Sequence, residues 1–251
     1  MKRLIKATCI SIIGNVRESH EDNFYFCNTI LKEKNNGLEI PIEKTVNNLK
    51  KPIFGLFDGM GGLPYGEKAS HMAALELKRI VEEKKYYSIK EIINRLNEKI
   101  KKYKSGKVKI GTTVSIIRFL EDNIEIGNIG DSRIYFLKGK KLIQVSKDHT
   151  DKLLYDELNI SLDRKPKLIE YLGLNEDGIK IHPHIKKYSY KNITKIIMCS
   201  DGLTDLVSEE EINNILIDNN LKVLEELTSL VNERGAKDNT TIILFDLEKN
   251  K

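Results

Sequence analysis

Two Asp-Gly steps in this chain stand where short apolar runs end: Asp58-Gly59 follows the run 52–57, and Asp201-Gly202 follows the run 195–199. Short runs that are rich in β-branched and aromatic residues are typical of β-strands. A strand that stops at a carboxylate followed by glycine presents an acidic ligand at the edge of a sheet. Each step therefore predicts a strand end, and carboxylates that converge from several strand ends would form a site for a hard cation.

Eight segments have this strand-like character: 8–13, 24–29, 52–57, 112–119, 123–128, 133–137, 195–199 and 240–245. Two helices are predicted between the early and middle strands, one over 66–83 from its apolar stripe and one that opens at the capping box Ser88–Glu91. Two more are predicted before the final strand, one opening at the capping box Ser208–Glu211 and one over 221–231. Since these helices come in pairs and do not alternate with single strands, the order favours an α+β fold with layered sheets.

The length and composition predict a single domain over residues 1–251. With 251 residues, of which 40% are hydrophobic and 31% charged, the chain is long enough and apolar enough to bury a core of its own. Segments 31–51 and 148–191 are predicted to be irregular, the first as an excursion between two strands. Neither has the composition of a linker between domains.

The cysteines and the charges bear on compartment and partners. Three cysteines without a Cys-x-x-Cys spacing indicate neither a disulfide framework nor a structural zinc site. No apolar run approaches the roughly 20 residues of a membrane-spanning helix, so we expect a cytoplasmic protein without membrane insertion. The net charge of +5 comes from lysines spread along the chain, without the arginine and aromatic pattern of a nucleic-acid surface. We expect a monomer with no nucleic-acid partner.

The glycine-rich loop 57–67 at first suggests a phosphate cradle. Gly61 and Gly66 have the spacing of a P-loop, but Glu67-Lys68 stands where Lys-Ser/Thr is required, so a nucleotide P-loop is not indicated. With Asp58 at the strand end, the glycines would instead let backbone carbonyls approach a cation closely. Considered alone, the loop is explained equally well by a tight turn with a helix-capping aspartate.

Two further aspartates lie at strand margins. Asp131 sits between two strand-like runs, and Asp238 precedes the run 240–245. Each of these aspartates, taken singly, is more often a turn residue. Together with Asp58 and Asp201 they form an acidic set without clustered histidine or cysteine, which favours Mg²⁺ or Mn²⁺ over zinc or copper. A binuclear hard-metal site is the better joint explanation.

The segment 17–23 places an arginine and two acids just before a strand. Arg17 suits bidentate recognition of a phosphate, whereas Glu21 and Asp22 suit a role in holding metal-bound waters. Within a strand the two acids would point to opposite faces, so a shared site requires the loop before Phe24. A surface ion pair or a turn are the alternative explanations.

Seven segments, in this order, resemble the metal-dependent protein serine/threonine phosphatases of the PP2C family, in their bacterial form. They are Gly14 with Arg17 and Glu21-Asp22, 58–62 with Gly66-Glu67, 111–113, 130–133, 148–150, 200–205 and 235–241. The resemblance implies a four-layer α/β/β/α sandwich of two antiparallel sheets flanked by helices. The metals would lie in a cleft at one end of the sheets.

The resemblance also implies a role for each acidic residue. Asp58 would bridge two metals and hold the nucleophilic water, and the Gly59 carbonyl would bind the second metal. Asp201 and Asp238 would complete the first metal site. Asp131 would bind a third ion, shared with Asp201.

The substrate side of the site is implied in the same way. Glu21 and Asp22 would hold coordinated waters, and Arg17 would bind the substrate phosphate. Two or three Mn²⁺ or Mg²⁺ ions would lower the pKa of a bridging water or hydroxide, which attacks the phosphoserine or phosphothreonine monoester directly. Phosphoproteins are the implied substrates, and a cognate Ser/Thr kinase is the implied opposing partner.

The chain departs from the family pattern at a few positions. Met60 stands where many eukaryotic relatives have a histidine proposed as general acid, and His20 stands where relatives often have asparagine. The segment 148–173 matches the family's mobile flap only loosely. His149 is expected to be buried and hydrogen-bonded, and the pair His182 and His184 is expected in an exposed strand or loop.

Two other functions are compatible with parts of this pattern. A catalytically silent PP2C-like phosphoprotein-binding module is left open by the loose flap match, but silent members usually lack one or more ligands and here none is missing. A metal-dependent phosphodiesterase or nuclease would require a more concentrated basic groove. An active phosphoprotein phosphatase is therefore the prediction.

Overall fold

A computed structural model describes residues 2–38, 40–60, 65–103, 109–158, 160–174, 180–218 and 222–248 of the chain. Within these ranges the strands are β1 (Leu4–Ile12), β2 (Asp22–Phe26), β3 (Ile42–Asn47), β4 (Ile53–Asp58), β5 (Val114–Phe119), β6 (Asn123–Ile129), β7 (Arg133–Lys138), β8 (Lys141–Gln144), β9 (His184–Ser189), β10 (Ile193–Cys199) and β11 (Thr240–Glu248). The helices are α1 (Gly66–Glu82), α2 (Ile89–Lys101), α3 (Lys152–Glu157), α4 (Asp201–Thr204), α5 (Glu209–Ile217) and α6 (Val223–Glu233). Gly61, Gly62 and Leu221, which belong to predicted segments, lie outside the described residues.

The strands form two antiparallel sheets. One has the order β3-β1-β11-β10-β7-β8 and the other the order β2-β4-β5-β6-β9. Every pairing of neighbouring strands in these two orders is antiparallel. The α+β fold predicted from the order of elements is confirmed.

The core is divided into three apolar layers by the alternation of side chains along each strand. In β10, Ile196 and Met198 point between the sheets, whereas Ile197 and Cys199 point toward helices α4 to α6. Helices α1 and α2 cover the outer face of the five-stranded sheet. Three apolar interfaces between four layers make the predicted α/β/β/α sandwich.

Aromatic rings join the two sheets at the centre. Phe54 of β4 lies 4.8 Å from Phe245 of β11, measured between ring centroids, in an edge-to-face arrangement. Phe119 of β5 packs against both rings, at 6.0 and 5.2 Å. Such pairs add about 0.5–1.5 kcal/mol each beyond the area they bury, so this cluster fixes how the sheets face each other.

The helix starts follow the predicted capping boxes. Ser88 accepts a hydrogen bond from the Glu91 amide while Glu91 accepts one from the Ser88 amide, and Ser208 with Glu211 does the same at the start of α5. These reciprocal bonds satisfy amides that have no partner inside the helix. No helix in the described part of the chain is long and apolar enough to cross a membrane.

Three strands were not predicted, and all three are edge strands. β3 and β8 are the two edges of the six-stranded sheet, and β9 is one edge of the other. Their sequences are polar because none of their positions is buried; in β9, for example, all six residues are half-buried or exposed. Polar edge strands protect a sheet from pairing with other chains. His184 lies in β9, and His182 lies just before it.

Candidate metal centre

The strand ends that carry the predicted acids meet at one end of the sandwich. β4 ends at Asp58, which is paired with Asp22 at the start of β2. In the other sheet, Cys199 at the end of β10 is paired with Ile242 near the start of β11. Antiparallel pairing therefore brings Asp201, just after β10, beside Asp238, just before β11.

Asp131 reaches the same end through β5 and β6. Val114 is paired with Ile129, so the residues before β5 and after β6 are neighbours. The Thr113 amide donates to the Asp58 carbonyl at 2.8 Å, and the Thr113 and Ser132 hydroxyls are 2.7 Å apart. Thr113 therefore contacts both the backbone of Asp58 and Ser132, the residue that follows Asp131.

These residues line one cleft of about 630 Å³. The predicted site residues in its lining are Arg17, Asp58, Gly59, Asp131, Asp201 and Asp238. Glu21 and Asp22 are outside the lining, but the Glu21 carbonyl accepts a 3.1 Å hydrogen bond from the Gly59 amide. Sequence positions from five different parts of the chain are therefore brought together as predicted; their roles stay predictions.

Both glycines of the Asp-Gly steps are required by close backbone approach. A Cβ atom on Gly59 would lie 2.3 Å from the Gly66 carbonyl oxygen, and one on Gly202 would lie 2.1 Å from the Asn239 carbonyl oxygen. Neither partner is a flexible side-chain end. Glycine at these positions lets the chain turn tightly at the cleft while the aspartates face it.

The acidic residues of the cleft perturb one another because they are buried close together. Burial, followed by the charges of Asp201, Asp22, Asp131 and Asp238, raises the pKa of Asp58 well above its usual range. Burial and the charge of Asp201 raise the pKa of Asp131 to about 7. Among the described residues, no donor forms a hydrogen bond or ion pair with the Asp58 carboxylate. The acids at the centre of the cluster therefore resist ionisation, and Asp58 has no bonded cation among the described residues.

Asp22 joins the two sheets through hydroxyl groups. Its Oδ2 accepts hydrogen bonds from Thr241 Oγ1 at 2.7 Å and Ser200 Oγ at 2.8 Å, both from the six-stranded sheet or its loop. Burial raises the pKa of Asp22 to about 7, and these two donors act against that rise. Neither hydroxyl was identified from the sequence, although both lie in segments that carry the family resemblance.

His20 lies at the far end of this hydroxyl chain. With Asp22 ionised, Thr241 donates to Asp22, Ser11 donates to Thr241 over 2.7 Å, and His20 Nε2 donates to Ser11 over 3.1 Å. His20 Nδ1 has no hydrogen-bond partner among the described residues. Burial lowers the pKa of His20 to about 4, so the imidazole is neutral near pH 7. This position suits a structural side chain.

Asn239 positions the loop that carries Arg17 and Glu21. Its side-chain oxygen accepts from the Glu21 amide at 2.7 Å, and its nitrogen donates to the Ile13 and Ser19 carbonyls. Burial raises the pKa of Glu21 to about 7, and the charge of Arg17 opposes the rise. The amino-terminal loop is thus attached to the start of β11, next to Asp238.

Arg17 forms an ion pair with a predicted metal ligand. Its Nη2 donates to Asp238 Oδ2 at 2.6 Å, and its Nη1 is 4.0 Å from Glu21 Oε2. The hydrogen bond to Asp238 raises the pKa of Arg17 despite partial burial. The guanidinium therefore lies in the lining of the cleft, beside its carboxylates.

A second cation in the cleft was missed by the sequence analysis. Lys165 Nζ donates to Asp201 Oδ2 at 2.6 Å and to Asp205 Oδ2 at 2.5 Å. Burial opposes the charged form, but the two carboxylates outweigh it and raise the pKa of Lys165 above its usual range. Lys165 lies in a segment predicted to be irregular, where no periodicity distinguishes it from the other lysines.

The loop after β6 is held by two further residues of the resembling segments. Arg133 Nη2 donates to Asp148 Oδ2 at 2.7 Å. His149 is buried, with Nδ1 3.3 Å from the Gly130 carbonyl and Nε2 3.3 Å from the His182 carbonyl. The buried, hydrogen-bonded position predicted for His149 is confirmed.

The donors of the cleft fit a hard divalent cation. Carboxylate oxygens and the Gly59 carbonyl are the ligand types that Mg²⁺ and Mn²⁺ prefer, and a bound cation would relieve the mutual repulsion that raises the pKa of Asp58. In the described part of the chain, no three His, Cys, Asp or Glu side chains are already arranged as a ligand set. Two of the carboxylates, Asp238 and Asp201, are engaged by Arg17 and Lys165 instead.

Comparisons with known proteins agree with this architecture. The chain is 28% identical over 222 residues to the serine/threonine phosphatase stp of Listeria innocua, covering 80% of this chain and 86% of that protein. The crystal structure of serine/threonine phosphatase Stp1 from Staphylococcus aureus superposes with a TM-score of 0.78 at 23% identity, covering 97% and 95% of the two chains. The catalytic domain of PstP in complex with two manganese ions superposes with a TM-score of 0.75 at 24% identity, covering 98% and 100%.

The family model described as protein phosphatase 2C matches residues 45–239, which include Asp58, Asp131, Asp201 and Asp238. This match spans more than half of the chain, and the sandwich and the cleft are the features that the family resemblance predicted. The chain belongs to the protein phosphatase 2C family.

Proposed function

We propose that this protein is a metal-dependent phosphatase that hydrolyses phosphoserine and phosphothreonine monoesters in proteins. The observation that carries the proposal is the presence of Arg17 and four aspartates around one cleft in a member of the protein phosphatase 2C family. The carboxylates supply a cation site, and the guanidinium supplies an anion site beside it. A phosphate monoester needs both.

Asp58, Asp131, Asp201, Asp238 and the Gly59 carbonyl would hold the cations, either Mn²⁺ or Mg²⁺. When bound, two such ions would supply Lewis-acid stabilisation of the phosphoryl oxygens and a water of lowered pKa at neutral pH. Asp22 is held by Thr241 and Ser200 in one orientation, so that its carboxylate can order water at the edge of the cleft. Glu21 would hold a coordinated water in the same way.

Arg17 would bind and orient the phosphate. Its guanidinium is planar, always charged and matched to two phosphate oxygens at once. Arg17 is bonded to Asp238, so a cation that recruits Asp238 would also release Arg17 for the substrate. Arg17 is therefore coupled to the metal site through a shared carboxylate.

Protein substrates are supported by the similarity of this chain to relatives named as serine/threonine phosphatases. A cognate Ser/Thr kinase would then supply the phosphoprotein. We place the enzyme in the cytoplasm, where its cysteines stay reduced; Cys9, Cys27 and Cys199 are all free. The substrate-binding face would be the open side of the cleft.

One assay tests the proposal against the alternatives. Purified protein is incubated with a phosphoserine or phosphothreonine peptide and with a DNA oligonucleotide, in Mn²⁺, in Mg²⁺ and in EDTA. We expect phosphate release from the peptides only with metal, and no cleavage of DNA. Absence of phosphate release together with retained phosphopeptide binding would identify a silent binding module, and cleavage of DNA would identify a nuclease.

A further inference from the structure

Lys165 has a place in the cleft that the proposed function does not use. Its ammonium lies 2.6 Å from Asp201 Oδ2 and 2.5 Å from Asp205 Oδ2. The proposed function assigns Asp201 to a divalent cation. One carboxylate is therefore available to two competing cations.

Residues on both sides of Lys165 are bonded to a single carboxylate, that of Asp151. Arg164 Nη2 donates to Asp151 Oδ2 at 2.6 Å, and the Lys167 amide donates to Asp151 Oδ1 at 2.8 Å. The Asp151 amide in turn donates to the Lys167 carbonyl at 2.9 Å. The chain is thus folded back over the cleft, which directs Lys165 toward Asp201.

The charge of Lys165 reaches more than one acid of the cluster. It opposes the rise in pKa that burial and neighbouring carboxylates impose on both Asp131 and Asp201. By contrast, the main causes that raise the pKa of Asp58 are burial and other aspartates, and no lysine or arginine is among them. Lys165 therefore offsets charge on the Asp131–Asp201 side of the cleft, whereas Arg17 is bonded to Asp238 on the other side and Asp58 has no bonded cation among the described residues.

We propose that Lys165 is a built-in counter-cation on the Asp131–Asp201 side of the cleft, and that a divalent cation binds on that side only by displacing it. This inference rests on the proposed function, because it takes Asp201 as a metal ligand. An ion held by Asp58, Asp201 and Asp238 shares only one of its three carboxylates with Lys165, whereas an ion on the Asp131–Asp201 side shares one of two. Lys165 therefore weakens the site on its own side the most.

Displacement of the lysine requires little rearrangement. The Lys165 side chain is 49% exposed, so it can turn outward into solvent without being buried elsewhere. Ion pairs of such exposed groups contribute modestly to binding, so competition shifts metal affinity without blocking the site. The effect of removing the lysine is expected to be about three- to tenfold in the dissociation constant of the affected ion.

The test is a Mn²⁺ titration of the full chain at fixed ionic strength. Isothermal titration calorimetry gives the affinities, and electron paramagnetic resonance of free Mn²⁺ gives the number of ions bound. We expect Lys165→Met to tighten the weakest Mn²⁺ step about three- to tenfold, or to bring one additional ion into the measurable range. Lys165→Arg keeps the charge and should retain the wild-type isotherm.

The matched control is Lys167→Met. Lys167 lies on the same segment, lines the same cleft and carries the same charge, but its ammonium makes no ion pair with any described residue. We expect its isotherm to equal that of the wild type. An unchanged isotherm for Lys165→Met, or an equal shift in both variants, would overturn the inference by showing that only general electrostatics is involved.

Failure of this inference is separable from failure of the proposed function. If the wild type binds Mn²⁺ and hydrolyses phosphopeptides while Lys165→Met binds Mn²⁺ unchanged, the counter-cation is excluded and the phosphatase stands. If the wild type binds no Mn²⁺ under any condition, both are overturned.

Discussion

Asp58-Gly59 and Asp201-Gly202 look alike in sequence, but the fold gives them different surroundings. Asp58 is the last residue of β4, and the backbone after it continues into a loop whose Gly59 amide bonds to Glu21. Asp201 is the first residue of the short helix α4, with Ser200 preceding it and Lys165 bonded to its carboxylate. Asp58 thus ends a strand and faces other acids, whereas Asp201 begins a helix and is bonded to the ammonium of Lys165.

Local sequence therefore determines where a carboxylate lies in the fold, whereas the charged groups that bond to it come from distant segments of the chain. Asp58 is surrounded by carboxylates from both sheets and has no counter-charge bonded to it within the described chain. Asp201 is bonded to Lys165, which lies in the segment 164–168. The two carboxylates are therefore predicted to respond differently to the same substitution.

The largest expected difference is in activity. Asp58→Asn removes the carboxylate that two ions are predicted to share, so we expect Mn²⁺-dependent hydrolysis of an aryl phosphate to fall on the order of 10³-fold or more. Asp201→Asn removes a terminal ligand and should cost on the order of tenfold to a hundredfold at saturating Mn²⁺. Steady-state kinetics over a Mn²⁺ series measures both. Equal losses, or full activity of Asp58→Asn, would contradict the proposed bridging role.

Arg17→Ala tests whether the guanidinium at the edge of the cleft serves the substrate. A charge-assisted hydrogen bond contributes about 1.5–3 kcal/mol, so kcat/KM for a phosphopeptide should fall roughly 10- to 100-fold. Arg17→Lys should recover part of the loss, because charge returns without the bidentate fork. Mn²⁺ affinity measured by calorimetry should not weaken. A variant that loses Mn²⁺ binding in proportion to kcat/KM would place Arg17 in metal retention.

The stability of the metal-free protein should depend on pH because of the crowded acids. Burial raises the folded-state pKa of Glu21, Asp22 and Asp131 to about 7, above the value near 4 of unfolded carboxyls. Between these values the folded state binds more protons than the unfolded chain, so the free energy of unfolding falls as pH rises from about 4 to about 7. The lowered pKa of His20, about 4, acts in the opposite sense below pH 6.5.

Thermal unfolding in EDTA checks this dependence. We expect Tm to be higher at pH 5.5 than at pH 8 by roughly 5 °C, and the difference to shrink in Asp58→Asn, because one like charge is removed from the cluster. In Asp201→Asn we expect the Tm difference between the two pH values not to shrink in this way, because this substitution also deprives Lys165 of an ion-pair partner. A Tm that rises with pH in the wild type would show that the negative charges of these acids are already offset by other groups of the protein.

The smallest effect is expected at His20. Its imidazole is buried and neutral and contacts Ser11, so His20→Asn should leave the shape of the pH–rate profile unchanged between pH 6 and 9. A modest loss of stability, on the order of 1–2 kcal/mol, is expected from the altered buried hydrogen bond. Disappearance of one limb of the profile would instead give His20 a role in proton transfer.

The sequence predicts most of the framework because buried strands and capped helices have strong local patterns. The alternation in β10 and the capping boxes at Ser88 and Ser208 are examples. Edge strands such as β3 and β9 escaped prediction, since a strand with few buried positions needs no apolar alternation. Their place in the fold is decided by the neighbouring strand.

In the site, the acids were predictable and their partners were not. Asp58 and Asp201 stand at strand ends, which a pattern can locate. Lys165 and Thr241 act through contacts with residues far away in the chain, and neither has a periodicity or spacing that marks it. Charge pairing between distant segments becomes visible only in the folded protein.

The bonds from Ser200 and Thr241 to Asp22 have a mechanical consequence. They connect a carboxylate of one sheet to hydroxyls of the other, and they do so at the end of the sandwich that holds the cleft. A shift of one sheet relative to the other would therefore alter the hydrogen bonds of Asp22, and the spacing of the two sheets is linked in this way to the arrangement of side chains at the cleft.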